Sequence, residues 1–122
     1  MVDFAPWIHV KYIDGTAFVT FLGTDKSEGA ALAVGGQLSE LAERPGCRRF
    51  VLNLGAAPCL SSTMLGKLIA FQRKVRQRGG ELTLCSLGPD LAARLEVMRL
   101  DRLFHIRPTE EEALGEIPAG VS

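Results

Sequence analysis

Two histidines and three cysteines are all this chain holds of the residues most often found at reactive centres, and none is spaced for chemistry. Cys47, Cys59 and Cys85 form no C-x-x-C pair, and an odd count makes a poor disulfide framework. They read as buried free thiols of a reducing cytoplasm. Together with His9 and His105 they show no metal-ligand spacing. Neither sign of charge is in surplus: 14 Lys and Arg balance 14 Asp and Glu, which argues against nucleic acid as a partner. No apolar run reaches the ~18 residues of a membrane span, and the N-terminus lacks the basic-then-apolar pattern of a secretion signal. A cytoplasmic protein without membrane contact is therefore expected. The glycines fall into neither G-x-x-x-x-G-K-[ST] nor G-x-G-x-x-G, and no serine sits in G-x-S-x-G. No cofactor is expected, and the chain is not read as an enzyme. A hydrolase using Ser62 would need a base and an orienting acid, and only His9 and His105 are on hand as bases.

What the chain does have is apolar patterning. With 122 residues, 47% of them hydrophobic, and a mean hydropathy of +0.15, it is long and apolar enough for one folded domain spanning 1–122. Ile8, Val10 and Tyr12 alternate with His9, Lys11 and Ile13, so Trp7 to Ile13 reads as a strand. Asp14-Gly15 signals a tight hairpin turn, and Thr16 to Leu22 is the return strand. Thr24, Asp25 and Ser27 are candidate caps for a helix running to about Ala42. Gly35-Gly36 inside it implies either a break or a close approach to a neighbour.

The centre of the chain is Arg49 to Gln77. Phe50 to Leu54 is almost entirely apolar, which suits a strand covered on both faces. A loop containing Gly55 and Pro58 follows, then Ser61, Ser62 and Thr63. Leu65, Leu68, Ile69 and Val75 then keep helical spacing, with the glycine pair 79–80 as the stop. A hydroxyl residue just before such a face caps the helix, so the cluster belongs at the carboxyl rim of a sheet, where partners usually dock. Arg73, Lys74, Arg76 and Arg78 read as a solvated basic face near the helix end. Glu81 to Ser86 is the next strand, Gly88-Pro89-Asp90 opens a helix, and Leu103 to Ile106 is a short strand. Thr109 with Glu112 matches a capping box for a last helix, and Ile117 to Ser122 reads as a tail. Strand–helix–strand units demand parallel neighbours. The expected class is α/β: a small mixed sheet with an N-terminal antiparallel hairpin, parallel inner strands and about four helices.

A phosphate in the hydroxyl cluster would add about −1.5 to −2 charge to the rim with little cost to the helix, whose first turn favours anions. That makes the cluster of Ser61, Ser62 and Thr63 a candidate binding switch.

Four runs in order resemble the STAS domain of bacterial anti-sigma factor antagonists: Phe50-Val51-Leu52-Asn53-Leu54, Ser61 to Gly66, Arg78-Gly79-Gly80-Glu81-Leu82, and Leu100-Asp101-Arg102-Leu103-Phe104. The resemblance spans about Ile8 to Leu114. Members typically carry D-S-S-G-L-G at the rim. Here Ser61 stands on the Asp, Ser62 on the first Ser, Thr63 on the second, Met64 on the Gly, and Leu65 and Gly66 on the L-G. The resemblance implies a regulatory protein-binding module that takes part in partner switching. Its partner would be an anti-sigma factor that is also a serine kinase, acting on Ser62, with a phosphatase in reverse. It implies a docking surface of Ser61, Ser62, Thr63, Met64 and Gly66, with the Met64 side chain in the path of a partner. A small-molecule module for nucleotides or lipids, a signalling scaffold that is not phosphorylated, and a homodimer are the other options.

Overall fold

The computed structural model describes residues 4–5, 8–22, 28–56 and 60–116. Among the described residues six strands form one sheet in chain order. They are β1 (Phe4–Ala5), β2 (Ile8–Ile13), β3 (Thr16–Phe21), β4 (Arg49–Asn53), β5 (Glu81–Cys85) and β6 (His105–Arg107). The helices are α1 (Glu28–Glu43), α2 (Ser62–Gln77), α3 (Pro89–Val97) and α4 (Glu110–Glu116), with a 3₁₀ turn at Leu100–Arg102. β1, β2 and β3 run antiparallel in turn, and β3 through β6 are parallel. The expected mixed α/β sheet with an antiparallel N-terminal hairpin and four helices is what the described residues form.

The hairpin turns as the sequence dictates: Asp14 and Gly15 both take positive φ, 50° and 81°. β2 shows the expected alternation, with Ile8 and Val10 buried and His9 and Lys11 exposed. Helix α1 runs unbroken through Gly35-Gly36. A Cβ on Gly35 would lie 2.7 Å from Cδ of Lys67, so this glycine is where α1 and α2 touch. The caps proposed at Thr24, Asp25 and Ser27, the start at Trp7, Cys59 and the tail 117–122 lie outside the described residues.

Two boundaries differ from expectation. The lead-in contributes β1, two residues paired with His9 and Ile8 across the outer edge of β2. The last strand is His105–Arg107, not Leu103 to Ile106. Arg99 takes a left-handed φ of 60°, the 3₁₀ turn follows, and the Leu103 carbonyl accepts from Nε2 of buried Gln72 at 3.0 Å. With that carbonyl taken by α2, pairing with β5 starts only at Thr83–His105.

The core lies on both faces of the sheet, as the apolar run in β4 requires. On one face Phe50, Leu52 and Leu84 pack with Leu38, Leu68 and Leu95 from the helices, and the Phe50 and Phe71 rings meet edge-on at 5.2 Å. On the other face Val51 and Cys85 are covered by Ala113 of α4, with Phe18 alongside. Among the described residues no helix is long and apolar enough to cross a membrane.

Candidate docking site at the rim of helix α2

The rim is assembled from three directions. β4 ends at Asn53, whose Oδ1 accepts from the Gly55 N–H at 2.8 Å while its Nδ2 donates to Glu110 Oε2 at 3.0 Å. One side chain thus shapes the start of the loop and ties it to α4. The loop returns at Leu60, which is buried. Ser61 is the N-cap of α2, with extended backbone (φ −68°, ψ 162°), and its Oγ accepts from the Met64 N–H at 3.1 Å. The cap expected from sequence is therefore Ser61, and it engages that hydroxyl oxygen in structure.

Ser62, the first helical residue, is exposed, and Thr63 is half-buried. Gly66 is exposed, four residues on from Ser62 and so on the same side of the helix, and a Cβ there would meet nothing within 4 Å. Met64 departs from expectation. It is only 6% exposed and packs into the core, so its side chain is not in the path of an approaching partner. The cause is helical phase: Met64 lies four residues before Leu68 and seven before Phe71, on the stripe that faces the sheet.

Arg94 of α3, which no sequence motif marked, completes the site. One guanidinium nitrogen, Nη1, donates to the Leu60 carbonyl, and Nη2 lies 3.5 Å from Ser62 Oγ. The only hint in the sequence is its place on α3 between Leu91 and Leu95, both buried, which sets Arg94 at the border of the apolar stripe. The first turn of α2 holds no acidic residue, and Arg94 sets a guanidinium nitrogen beside Ser62 Oγ.

The remaining candidates fall elsewhere. His9 and His105 are exposed on strands, at register positions on the sheet face opposite α2. Among the described residues no group of three or more His, Cys, Asp and Glu side chains converges as a metal site would need. The Cys85 thiol is pushed up to about 11, mainly by burial, and Cys47 is raised by the same cause. The basic cluster divides: Lys74 Nζ pairs with Glu43 Oε2 and donates to Ser39 Oγ, both at 2.6 Å, and Arg78 reaches the Glu43 carbonyl. Lys74 lowers the pKa of Glu43 in turn. A groove of about 440 Å³ between α1 and α2 is lined by Leu32, Gly35, Gly36, Ser39, Lys67 and Lys74, among others, without the hydroxyl cluster.

The fold has counterparts in known proteins. The family model for the STAS domain matches residues 27–113, and the chain belongs to that family. It is similar to an anti-sigma F factor antagonist of Paenibacillus polymyxa, 28% identical over 81 residues, which are 66% of this chain and 69% of that protein. Among solved structures it resembles an anti-sigma factor antagonist from Mycobacterium paratuberculosis (26% identity, TM-score 0.76, 93% of this chain and 97% of the other). It also shares its fold with an anti-sigma-factor antagonist (STAS) domain protein from Planctomyces limnophilus (18% identity, TM-score 0.78, 88% and 94%).

Proposed function

We propose that this STAS domain is a cytoplasmic regulatory binding module of the anti-sigma factor antagonist type. Its docking surface is the rim of α2, and phosphorylation of Ser62 releases the partner. The partner is an anti-sigma factor with serine kinase activity. The observation that supports this reading most directly is the division of labour among neighbouring residues. Ser61 is engaged as the cap and Met64 and Leu65 are in the core, while Ser62 and Gly66 face outward together. A kinase or a docking face reaches Ser62 without unfolding anything. Phosphate placed there adds charge and bulk to a surface that otherwise offers a neutral hydroxyl.

The test is a calorimetric titration of the protein against the anti-sigma factor kinases of its genome, followed by incubation with ATP and mass spectrometry. Binding by one of them, loss of binding in Ser62→Glu, and phosphate on Ser62 are the expected results. Tight binding that Ser62→Glu leaves unchanged, or phosphate on another residue, would refute the switch. A second reading, a small anionic ligand in the α1–α2 groove, is favoured by the Lys67 side chain that lines it. Thermal stabilisation by nucleotides or fatty acids would support it.

A further inference from the structure

We infer that Arg94 is an internal receptor for the phosphate on Ser62: the modified side chain is captured by α3 of the same molecule. This inference rests on the proposed modification of Ser62 and adds a residue to its mechanism. Arg94 and Ser62 are 32 residues apart in sequence and meet only through the fold. The guanidinium is already half engaged. Nη1 holds the Leu60 carbonyl, which fixes the plane of the fork, and Nη2 is left directed at Ser62 Oγ. At 3.5 Å that contact is at the outer limit of a hydrogen bond to a neutral hydroxyl. It is in the right place for an oxygen further out. A phosphoryl group on Oγ carries three strong acceptors and about two negative charges, and a planar Arg fork matches such a group better than a Lys ammonium does.

The surroundings agree. The first turn of α2 contains no acidic residue to repel the phosphate. The Leu60 carbonyl that Arg94 holds belongs to the residue just before the cap. Capture therefore joins three parts of the rim, the loop, the start of α2 and α3, through one cation. The phosphorylated state is then a differently shaped surface, with the phosphate drawn towards α3, and not only a more negative one.

The experiment uses phosphoserine incorporated at position 62 during synthesis of the full chain, so it needs neither a kinase nor a partner. Failure of the proposed partner switching and failure of the capture are then separate results. The second ionisation of the phosphate is followed by ³¹P NMR in the wild-type background and in Arg94→Gln and Arg94→Lys. A cation at this range should lower that pKa by about one unit or more relative to Arg94→Gln, with Arg94→Lys in between. Equal values in wild type and Arg94→Gln would overturn the inference. Should Arg94→Gln fail to fold, the wild-type chain still decides the matter. The Arg94 side-chain resonances must shift on going from Ser62 to phosphoserine 62, and unchanged resonances overturn the inference equally.

Discussion

Gly66 offers the sharpest separation of stability from binding. It lies in the second turn of α2, exposed, with nothing within 4 Å of where a Cβ would stand. Within the chain, glycine there brings no packing benefit and weakens the helix. Replacing it with alanine should stabilise the fold by about 1 kcal/mol through helix propensity alone. For a chain of 122 residues the entropy of unfolding at the midpoint converts that to a rise in Tm of about 4 °C. Differential scanning calorimetry resolves such a shift. If the side of α2 that carries Ser62 and Gly66 is the docking face, a bulkier Gly66→Gln should weaken partner binding at least tenfold, about 1.4 kcal/mol. Its stability should stay at or above that of the wild type. A lower Tm in Gly66→Ala would mean that the position is not open. A raised Tm with undiminished partner binding by Gly66→Gln would remove this face from the docking surface.

The other glycine of the helix pair should behave oppositely. Gly35→Ala forces a methyl against the Lys67 stem at 2.7 Å, so it should cost about 1 kcal/mol despite the better propensity, seen as a lower urea midpoint. Asn53→Asp would set a carboxylate facing Glu110 across the 3.0 Å contact; stability should fall by about 1 kcal/mol at pH 7 and recover as the pH is lowered towards 5 and one carboxyl of the pair takes a proton. Cys85, whose pKa is raised from 9.0 to about 11, should not react with a thiol reagent at pH 8 until the protein unfolds. Because the folded thiol holds its proton to higher pH than the unfolded one, its contribution is complete below pH 9 and is lost as the pH rises towards 11, a decline that Cys85→Ala should lessen.

Much of the fold could be read from local signals because those signals agree with the tertiary result. Asp14-Gly15 sets a turn whatever surrounds it, and the apolar run at Phe50 had to be covered on two sides. The Gly35-Gly36 pair left a break or a close approach open, and the contact of Gly35 with Lys67 decides for the second. The position of the hydroxyl cluster followed from the handover between strand and helix. The direction of Met64 was also available, in its four-residue spacing to Leu68, but the motif alignment drew it outward and the helical phase decided otherwise. Arg94 was hinted at only by its place between Leu91 and Leu95, because its meaning comes from a contact 32 residues away. The strand at Phe4–Ala5 was likewise hidden: two residues have no period, and β2 supplies their partners.

Asn53 gives the architecture a mechanical property. Its amide grips the turn that feeds one layer of helices and, with its other end, the helix capping the opposite layer. A partner pressing on the rim should therefore be felt behind the sheet. Amide exchange in Glu110–Glu116 becomes a remote gauge of whatever seats itself beside Ser62, on a surface no visitor needs to touch.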